Sequence, residues 1–97
     1  MFELTGFQRD LLYVIAGSDR SSGQQVKSEL EAQMDREITH GRLYPNLDTL
    51  VNRGYVEKGE IDRRTNWYAL SEEGREALAA RHDWEDTYLP LSISAPS

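Results

Sequence analysis

The order of local patterns along the chain limits its fold more than any other feature. Three helical segments are followed by one hairpin and a last helix. Each helical segment begins after a residue whose side chain commonly caps helices. These capping residues are Thr5, Ser22, Thr39 and Ser71. Two β-rich runs, 55–61 and 67–70, flank the polar segment 62–66 and predict the hairpin. The predicted fold class is mostly α with a small β-hairpin.

The bounds of the helices follow from their caps, their hydrophobic spacing and their stop signals. We predict helices over residues 6–16, 23–34, 40–53 and 72–89. Gln8 and Gln25 each stand three residues after a cap, which is the spacing of a capping box. Pro45 removes a backbone donor from the third helix, so we expect its first turn to be bent or irregular.

The size and composition of the chain argue against catalysis. Its 97 residues fit one domain and leave little room for a deep cleft beside a core. The sequence has no phosphate-binding glycine loop and no nucleophile elbow. It has no cysteine and only two histidines, which gives no metal-ligand spacing. We therefore expect no enzyme activity, no cofactor and no metal.

Membrane and export signals are also missing from the sequence. It has no apolar run long enough to cross a bilayer. The first residues have neither the basic region nor the apolar region of a signal peptide. These features predict a cytoplasmic protein with no membrane partner.

Charge is distributed unevenly along the chain. The net charge of −6 and the pI of about 4.8 are, for the chain as a whole, an argument against nucleic-acid binding, because nucleic-acid-binding proteins usually carry a basic face. Residues 36–68, however, carry six Lys and Arg against five Asp and Glu. Only Lys27 and Lys58 are lysines, and such an acidic, lysine-poor surface is typical of proteins kept soluble in concentrated salt. The alternative interpretation is ordinary compositional drift. If any surface meets a polyanion, it is the middle third.

The third helix carries two stripes of side chains on different faces. The first stripe is apolar and consists of Leu43, Leu47, Leu50 and Val51. The second is polar and consists of Arg42, Asn46, Thr49 and Arg53. Arginine donates bidentately to guanine and asparagine pairs with adenine, so the polar stripe suits base recognition. We expect Arg42 and Asn46 to point outward without internal partners, and the alternative is a solvated helix face.

The second and third helices are joined by residues 35–38, a connection of helix-turn-helix length. Followed by a hairpin, this arrangement is a winged helix, in which the third helix enters the major groove. Arg63 and Arg64 lie at the predicted hairpin tip and suit phosphates or a narrow minor groove. Further candidate phosphate contacts flank the starts of the second and third helices. These are Gln24, Gln25, Lys27, Thr39 and His40.

Two motifs then resemble a known family. The run HGRLYPNLDTLVNRGYV at residues 40–56 is similar to the Gly-Thr-Leu-Tyr-Pro-x-Leu pattern of PadR-like transcriptional regulators. The run RTNWYALSEEGR at residues 64–75 is similar to their Arg-x-x-Tyr-x-Leu-Thr-x-x-Gly ending. Arg42 departs from the pattern, because the family often has threonine there, so no base preference is carried over. The acidic, lysine-poor composition is similar to that of haloarchaeal members.

The resemblance implies a homodimeric repressor or dual regulator that binds a pseudo-palindromic operator in double-stranded DNA. It places Tyr44 near the DNA backbone. It places dimerisation on the fourth helix with help from the first, which resembles the compact subtype with a single dimerisation helix. Trp84, Tyr88 and Leu89 support this, because they exceed what a short terminal helix needs to cover its own chain. The full predicted dimer interface is Phe2, Leu4, Leu78, Arg81, Trp84, Glu85, Tyr88 and Leu89.

The expected organisation is a winged-helix unit at 1–71, a dimerisation helix at 72–90 and a tail at 91–97. Two alternatives stay open. The winged helix could bind a protein through its acidic surface and not bind DNA. It could also sense a small molecule or ion, which would need a pocket between the wing and the fourth helix. The sequence does not indicate the operator, the effector or the sign of regulation.

Overall fold

The computed structural model describes residues 1–89 and has seven elements in them. In chain order these are α1 (Gly6–Ala16), β1 (Ser21–Ser22), α2 (Gly23–Met34), α3 (His40–Asn52), β2 (Val56–Asp62), β3 (Thr65–Leu70) and α4 (Glu72–Tyr88). The fold class is confirmed, and every predicted helix is present within a residue of its predicted bounds. Both capping boxes form, Thr5 with Gln8 and Ser22 with Gln25. The predicted tail at 91–97 lies outside the described residues.

The sheet is larger than the predicted hairpin. Its three antiparallel strands have the order β1-β3-β2. β1 pairs Ser21 with Tyr68, and its two residues are too few to produce a periodic pattern. β2 and β3 extend further into the predicted turn than expected, with a register irregularity between Glu60 and Asp62. Only two residues, 63 and 64, therefore remain at the tip of the wing.

The core lies between the three N-terminal helices and the sheet. Its fully buried side chains come from every helix of that layer. They include Leu11, Leu12, Ile15, Val26, Ile38, Leu43, Leu47, Leu50 and Tyr68. The apolar stripe of α3 thus packs inward, as predicted. α3 runs unbroken through Pro45, so the expected irregular first turn does not interrupt the helix.

The turn between α2 and α3 is fixed by one carboxylate. Asp35 ends α2 in the left-handed conformation, with φ of 55°. Glu31 then accepts the backbone N–H of Ile38 at 2.7 Å and the Lys27 ammonium at 3.1 Å. The hydrogen bond from Ile38, together with Lys27, lowers the pKa of Glu31. Glu31 therefore holds the geometry in which α3 leaves α2.

The start of α4 is packed against the junction of α3 and β2. The Ser71 hydroxyl caps α4 by accepting the Gly74 N–H at 2.9 Å and donates to the Gly54 carbonyl at 2.5 Å. A Cβ on Gly74 would lie 2.1 Å from the Tyr55 carbonyl oxygen. Only glycine allows this approach, which explains physically why the run Leu70-Ser71-Glu72-Glu73-Gly74 ends in glycine.

None of the helices in residues 1–89 is long and apolar enough to cross a membrane.

Candidate nucleic-acid interface

α3 presents a polar face to solvent beside its buried leucines. Arg42, Tyr44, Asp48 and Arg53 are exposed on it, while Asn46 and Thr49 are half-buried. The Thr49 hydroxyl donates to the Pro45 carbonyl at 3.0 Å within the same helix. The polar stripe predicted from sequence is therefore one edge of a wider exposed face.

Arg42 does not extend freely into solvent. Its guanidinium carbon lies 3.9 Å from the ring centroid of Phe7, which belongs to α1. This is the geometry of a cation–π contact. Such a contact uses the flat face of the guanidinium, so the N–H groups at its edge can still donate hydrogen bonds. The side chain stays exposed, so Phe7 holds the guanidinium without covering it.

Asn46 also has internal partners. Its Oδ1 accepts from Gln8 Nε2 at 3.0 Å, and its Nδ2 donates to the Arg42 carbonyl at 2.6 Å. The expectation that Arg42 and Asn46 are free of internal partners is therefore wrong for both. The reason is that α1 packs along this edge of α3, and helical periodicity within α3 does not show which helix lies beside it.

Sequence reasoning missed the residues at the centre of the exposed face. Gly41, Pro45, Asp48 and Asn52 are exposed there. The signal was present, because steps of 100° per residue put these positions opposite the leucines. Asp48 pairs with Lys58 of β2 at 3.5 Å, and both side chains stay exposed. This ion pair ties the middle of α3 to the wing.

Tyr44 lies on the other edge of α3, against the first residue of α2. A Cβ on Gly23 would be 2.7 Å from Tyr44 Cε1 and 2.8 Å from its hydroxyl oxygen, so the ring needs glycine there. A cavity of about 160 Å³ opens beside the two residues and is bordered by Arg64 of the wing tip. The N-terminal end of α2, a phenol and a guanidinium thus share one small surface concavity.

The remaining predicted contacts near these helix starts are partly occupied. Gln25 is committed to its capping box, and Lys27 is paired with Glu31. The Thr39 hydroxyl caps α3 by accepting the Arg42 N–H at 3.2 Å. Gln24 is exposed at the start of α2.

His40 and the wing arginines are all exposed. The imidazole of His40 packs edge-on against Tyr44, with ring centroids 5.6 Å apart. The backbone N–H of Arg64 donates to Asp62 at 2.9 Å, which shapes the tip and lowers the pKa of that carboxyl. Arg63 stands beside it at the tip of the wing.

A second surface, formed by the N-terminus and α4, is aromatic. Phe2 and Tyr88 are 69% and 71% exposed, and Trp84 is 41% exposed. The Trp84 ring lies 5.0 Å from Phe2 and 5.3 Å from Tyr88. Leu89 is also exposed beside them. Exposed apolar clusters of this kind mark interaction surfaces.

Four other predicted interface residues have partners within the chain. Leu4 and Leu78 are 3% and 6% exposed and belong to the chain's own core, so we remove them from the predicted interface. Arg81 donates to Glu85 at 3.2 Å and stacks 4.6 Å from the Trp84 ring. This pair borders the aromatic surface.

A pocket does lie between the sheet and α4, where a sensor of small molecules would need one. It has a volume of about 270 Å³ and includes Arg20, Trp67 and Arg75 with the acidic Asp19 and Glu57. Its volume is just below the usual range of ligand pockets, roughly 300–1,000 Å³. Within residues 1–89, no three His, Asp or Glu side chains gather closely enough to hold a metal ion.

Comparison with protein-family models decides the family of this fold. Residues 11–80 match the model described as the transcriptional regulator PadR-like family. The chain is a member of the PadR-like family. As a PadR-like regulator it has the winged helix-turn-helix described above, and the matched segment runs from α1 into the first half of α4.

Solved structures share this fold. The PadR-like chain is 46% identical to RosR in a complex structure of hsRosR-S1, with a TM-score of 0.86, covering 91% of this chain and 78% of that one. A structure of H. salinarum RosR grown from NaBr gives 47% identity and a TM-score of 0.85, with 90% and 78% covered. Streptococcus pneumoniae FabT in complex with DNA shares the fold, at 23% identity and a TM-score of 0.73, with 98% and 64% covered. No curated protein sequence matches the chain.

Proposed function

We propose that this PadR-like regulator binds a pseudo-palindromic promoter operator in double-stranded DNA as a homodimer. The observation that carries the proposal is the exposed polar face of α3, flanked on one edge by the α1 contacts and on the other by Tyr44 and the wing. α3 enters the major groove, and the wing follows the backbone or the minor groove. The FabT structure, which is in complex with DNA, has the same fold.

The base-reading group consists of Arg42, Asn46, Thr49 and Arg53. Arg42 donates to guanine, and Asn46 presents its amide to adenine. Both side chains keep free hydrogen-bonding capacity beyond their internal contacts, because each uses only part of its donors and acceptors.

The backbone-binding group surrounds the concavity at the start of α2. The first amide groups of α2 have no acceptor within the helix and carry its positive dipole end. The Tyr44 hydroxyl and the Arg64 guanidinium border the same space, so one phosphate is recognised by three different donors. Gln24, Thr39, His40 and Arg63 act around this site.

The homodimer forms through α4 and through Phe2, which packs against it. Phe2, Trp84, Tyr88 and Leu89 supply the apolar centre, and Arg81 and Glu85 border it. In this arrangement residues 1–71 are the DNA-binding unit and residues 72–90 the dimerisation helix. The two copies of α3 then meet successive major grooves about 34 Å apart. The protein works in the cytoplasm, on the DNA itself.

The binding test compares the protein with two single variants. Mobility shift on its own upstream promoter DNA should show a discrete complex that Arg42→Ala and Asn46→Ala weaken by about tenfold or more, because each removes a base contact. Arg75→Ala and Gln33→Ala, two exposed positions on other helices, are the matched controls and should bind as the wild type does.

Absence of any specific complex for the folded wild type would favour the alternative, a winged-helix module that binds a protein through its acidic surface. Loss of binding in Arg75→Ala to the same degree, with Gln33→Ala unaffected, would show that charge, and not the α3 face, carries the interaction. Dimerisation is tested separately by sedimentation equilibrium. Trp84→Ala should shift the protein toward monomer. A wild type that sediments with the mass of a monomer would contradict the α4 interface.

A further inference from the structure

Gln8 connects the start of α1 to the recognition helix. Its Oε1 accepts the backbone N–H of Thr5 at 3.0 Å as part of the capping box. Its Nε2 donates to Oδ1 of Asn46 at 3.0 Å, across 38 residues of sequence. Neither the capping box alone nor the core of the fold requires this second contact.

The contact completes a chain of hydrogen bonds that begins and ends on backbone groups. It runs from the Thr5 N–H through the amides of Gln8 and Asn46 to the Arg42 carbonyl. A backbone N–H only donates and a carbonyl only accepts, so neither amide can turn over without placing two donors or two acceptors against each other. The orientation of the Asn46 amide is therefore set from both ends of the chain of hydrogen bonds, by the cap of α1 through Gln8 and by the Arg42 carbonyl.

The orientation matters because Asn46 uses only half of its hydrogen-bonding capacity in this chain. One N–H goes to the Arg42 carbonyl and one lone pair to Gln8, which leaves one N–H and one lone pair. Adenine presents one acceptor and one donor in the major groove, so it needs those two groups in a single order. An inverted amide would oppose donor to donor.

We propose that Gln8 is a specificity-determining positioning residue, which fixes the orientation of Asn46 for adenine through the capping box of α1. The inference rests on the proposed function, since it assigns a cause to the base preference of the same site. The neighbouring Phe7 has the parallel role for Arg42, so two consecutive residues of α1 hold the two base-reading side chains.

The informative variant is Gln8→Glu. Glutamate keeps an acceptor for the Thr5 N–H, as capping boxes normally do, but offers Asn46 an oxygen where the donor was. Folding should be preserved, while the ordered amide of Asn46 is lost. Thr5→Ala is the matched control, because it removes the hydroxyl half of the box and leaves the Thr5 N–H and the Gln8–Asn46 contact in place.

The assay measures fluorescence anisotropy on the operator and on copies with each base pair replaced in turn. Asn46→Ala identifies the base pair that Asn46 reads, and Gln8→Glu should lose discrimination at that pair by about tenfold while the other pairs stay discriminated. In the Asn46→Ala background, Gln8→Glu should change no discrimination further, so any uniform effect of its charge cancels.

Three outcomes overturn the inference in distinguishable ways. Wild-type discrimination retained by Gln8→Glu, while Asn46→Ala loses it, refutes the role of Gln8 alone. Failure of the wild type to bind any operator refutes the proposed function together with it. A third measurement uses the free protein and needs no DNA. The Asn46 side-chain NH₂ signals in ¹⁵N spectra should shift in Gln8→Glu and not in Thr5→Ala. An unshifted signal in Gln8→Glu would contradict the chain of hydrogen bonds.

Discussion

Gly23→Ala tests DNA affinity separately from folding. The new Cβ would lie 2.7 Å from Tyr44 Cε1, about 1 Å closer than the roughly 3.5–4.0 Å of an ordinary carbon contact. Tyr44 is 36% exposed and can swing away, so the strain is relieved by moving the phenol and not by unfolding. Alanine also favours the helix over glycine by up to about 1 kcal/mol.

Stability should thus change by less than about 1 kcal/mol, while the phenol leaves the proposed phosphate site at the start of α2. A hydrogen bond to a charged group contributes about 1.5–3 kcal/mol, which corresponds to about a 10- to 100-fold loss of affinity. Because phosphates carry no sequence information, the loss should be equal for operator and non-operator DNA.

The assay is anisotropy at fixed salt, together with urea unfolding. Gly6→Ala is the matched control, since Gly6 is likewise the first residue of its helix and has nothing within 4 Å of an added Cβ. Tyr44→Phe should reproduce the affinity loss without the crowding. Unchanged affinity in both Gly23→Ala and Tyr44→Phe would refute the phosphate site.

Three further predictions concern packing, acid stability and salt. Gly74→Ala should destabilise the protein by about 3 kcal/mol or more in urea unfolding, because its Cβ meets the Tyr55 backbone carbonyl at 2.1 Å; a change below about 1 kcal/mol would contradict the packing. The Tyr55 hydroxyl, which donates to Glu3 at 2.6 Å, is the main cause that lowers the pKa of Glu3 from 4.5 to about 2. The wild type should therefore lose thermal stability as pH falls from 4.5 toward 2, and Tyr55→Phe should lose less over that window, as melting at each pH would show. Affinity for DNA should fall with salt less steeply than the slope of about −0.9 per phosphate contact, since acidic groups near the interface take up cations on binding; a steep monotonic loss up to molar salt would refute this.

Much of the fold follows from signals that are local in sequence. The caps at Thr5, Ser22, Thr39 and Ser71 depend on residues within one turn of each other, and all four form as predicted. The core stripe of α3 is equally local, because a period of 3.6 residues fixes which leucines share a face. β1 escaped prediction because two residues pair only when β3 is already in place.

The site was predicted less completely, for the same physical reason. The composition of the α3 face could be predicted, but its neighbours could not. The contacts of Arg42 with Phe7 and of Asn46 with Gln8 join segments more than 30 residues apart. Leu78 likewise appeared available for a partner until the packing of α4 on α1 and β3 buried it.

The most direct test of the central claim replaces single guanines of the operator with 7-deazaguanine, which lacks the N7 acceptor that arginine uses in the major groove. At one guanine per half-site, the wild type should lose affinity by about tenfold and Arg42→Ala should be indifferent to the replacement. Equal sensitivity of the two proteins at every guanine would mean that Arg42 does not contact a guanine N7, which would contradict the base contact proposed for the exposed edge of α3.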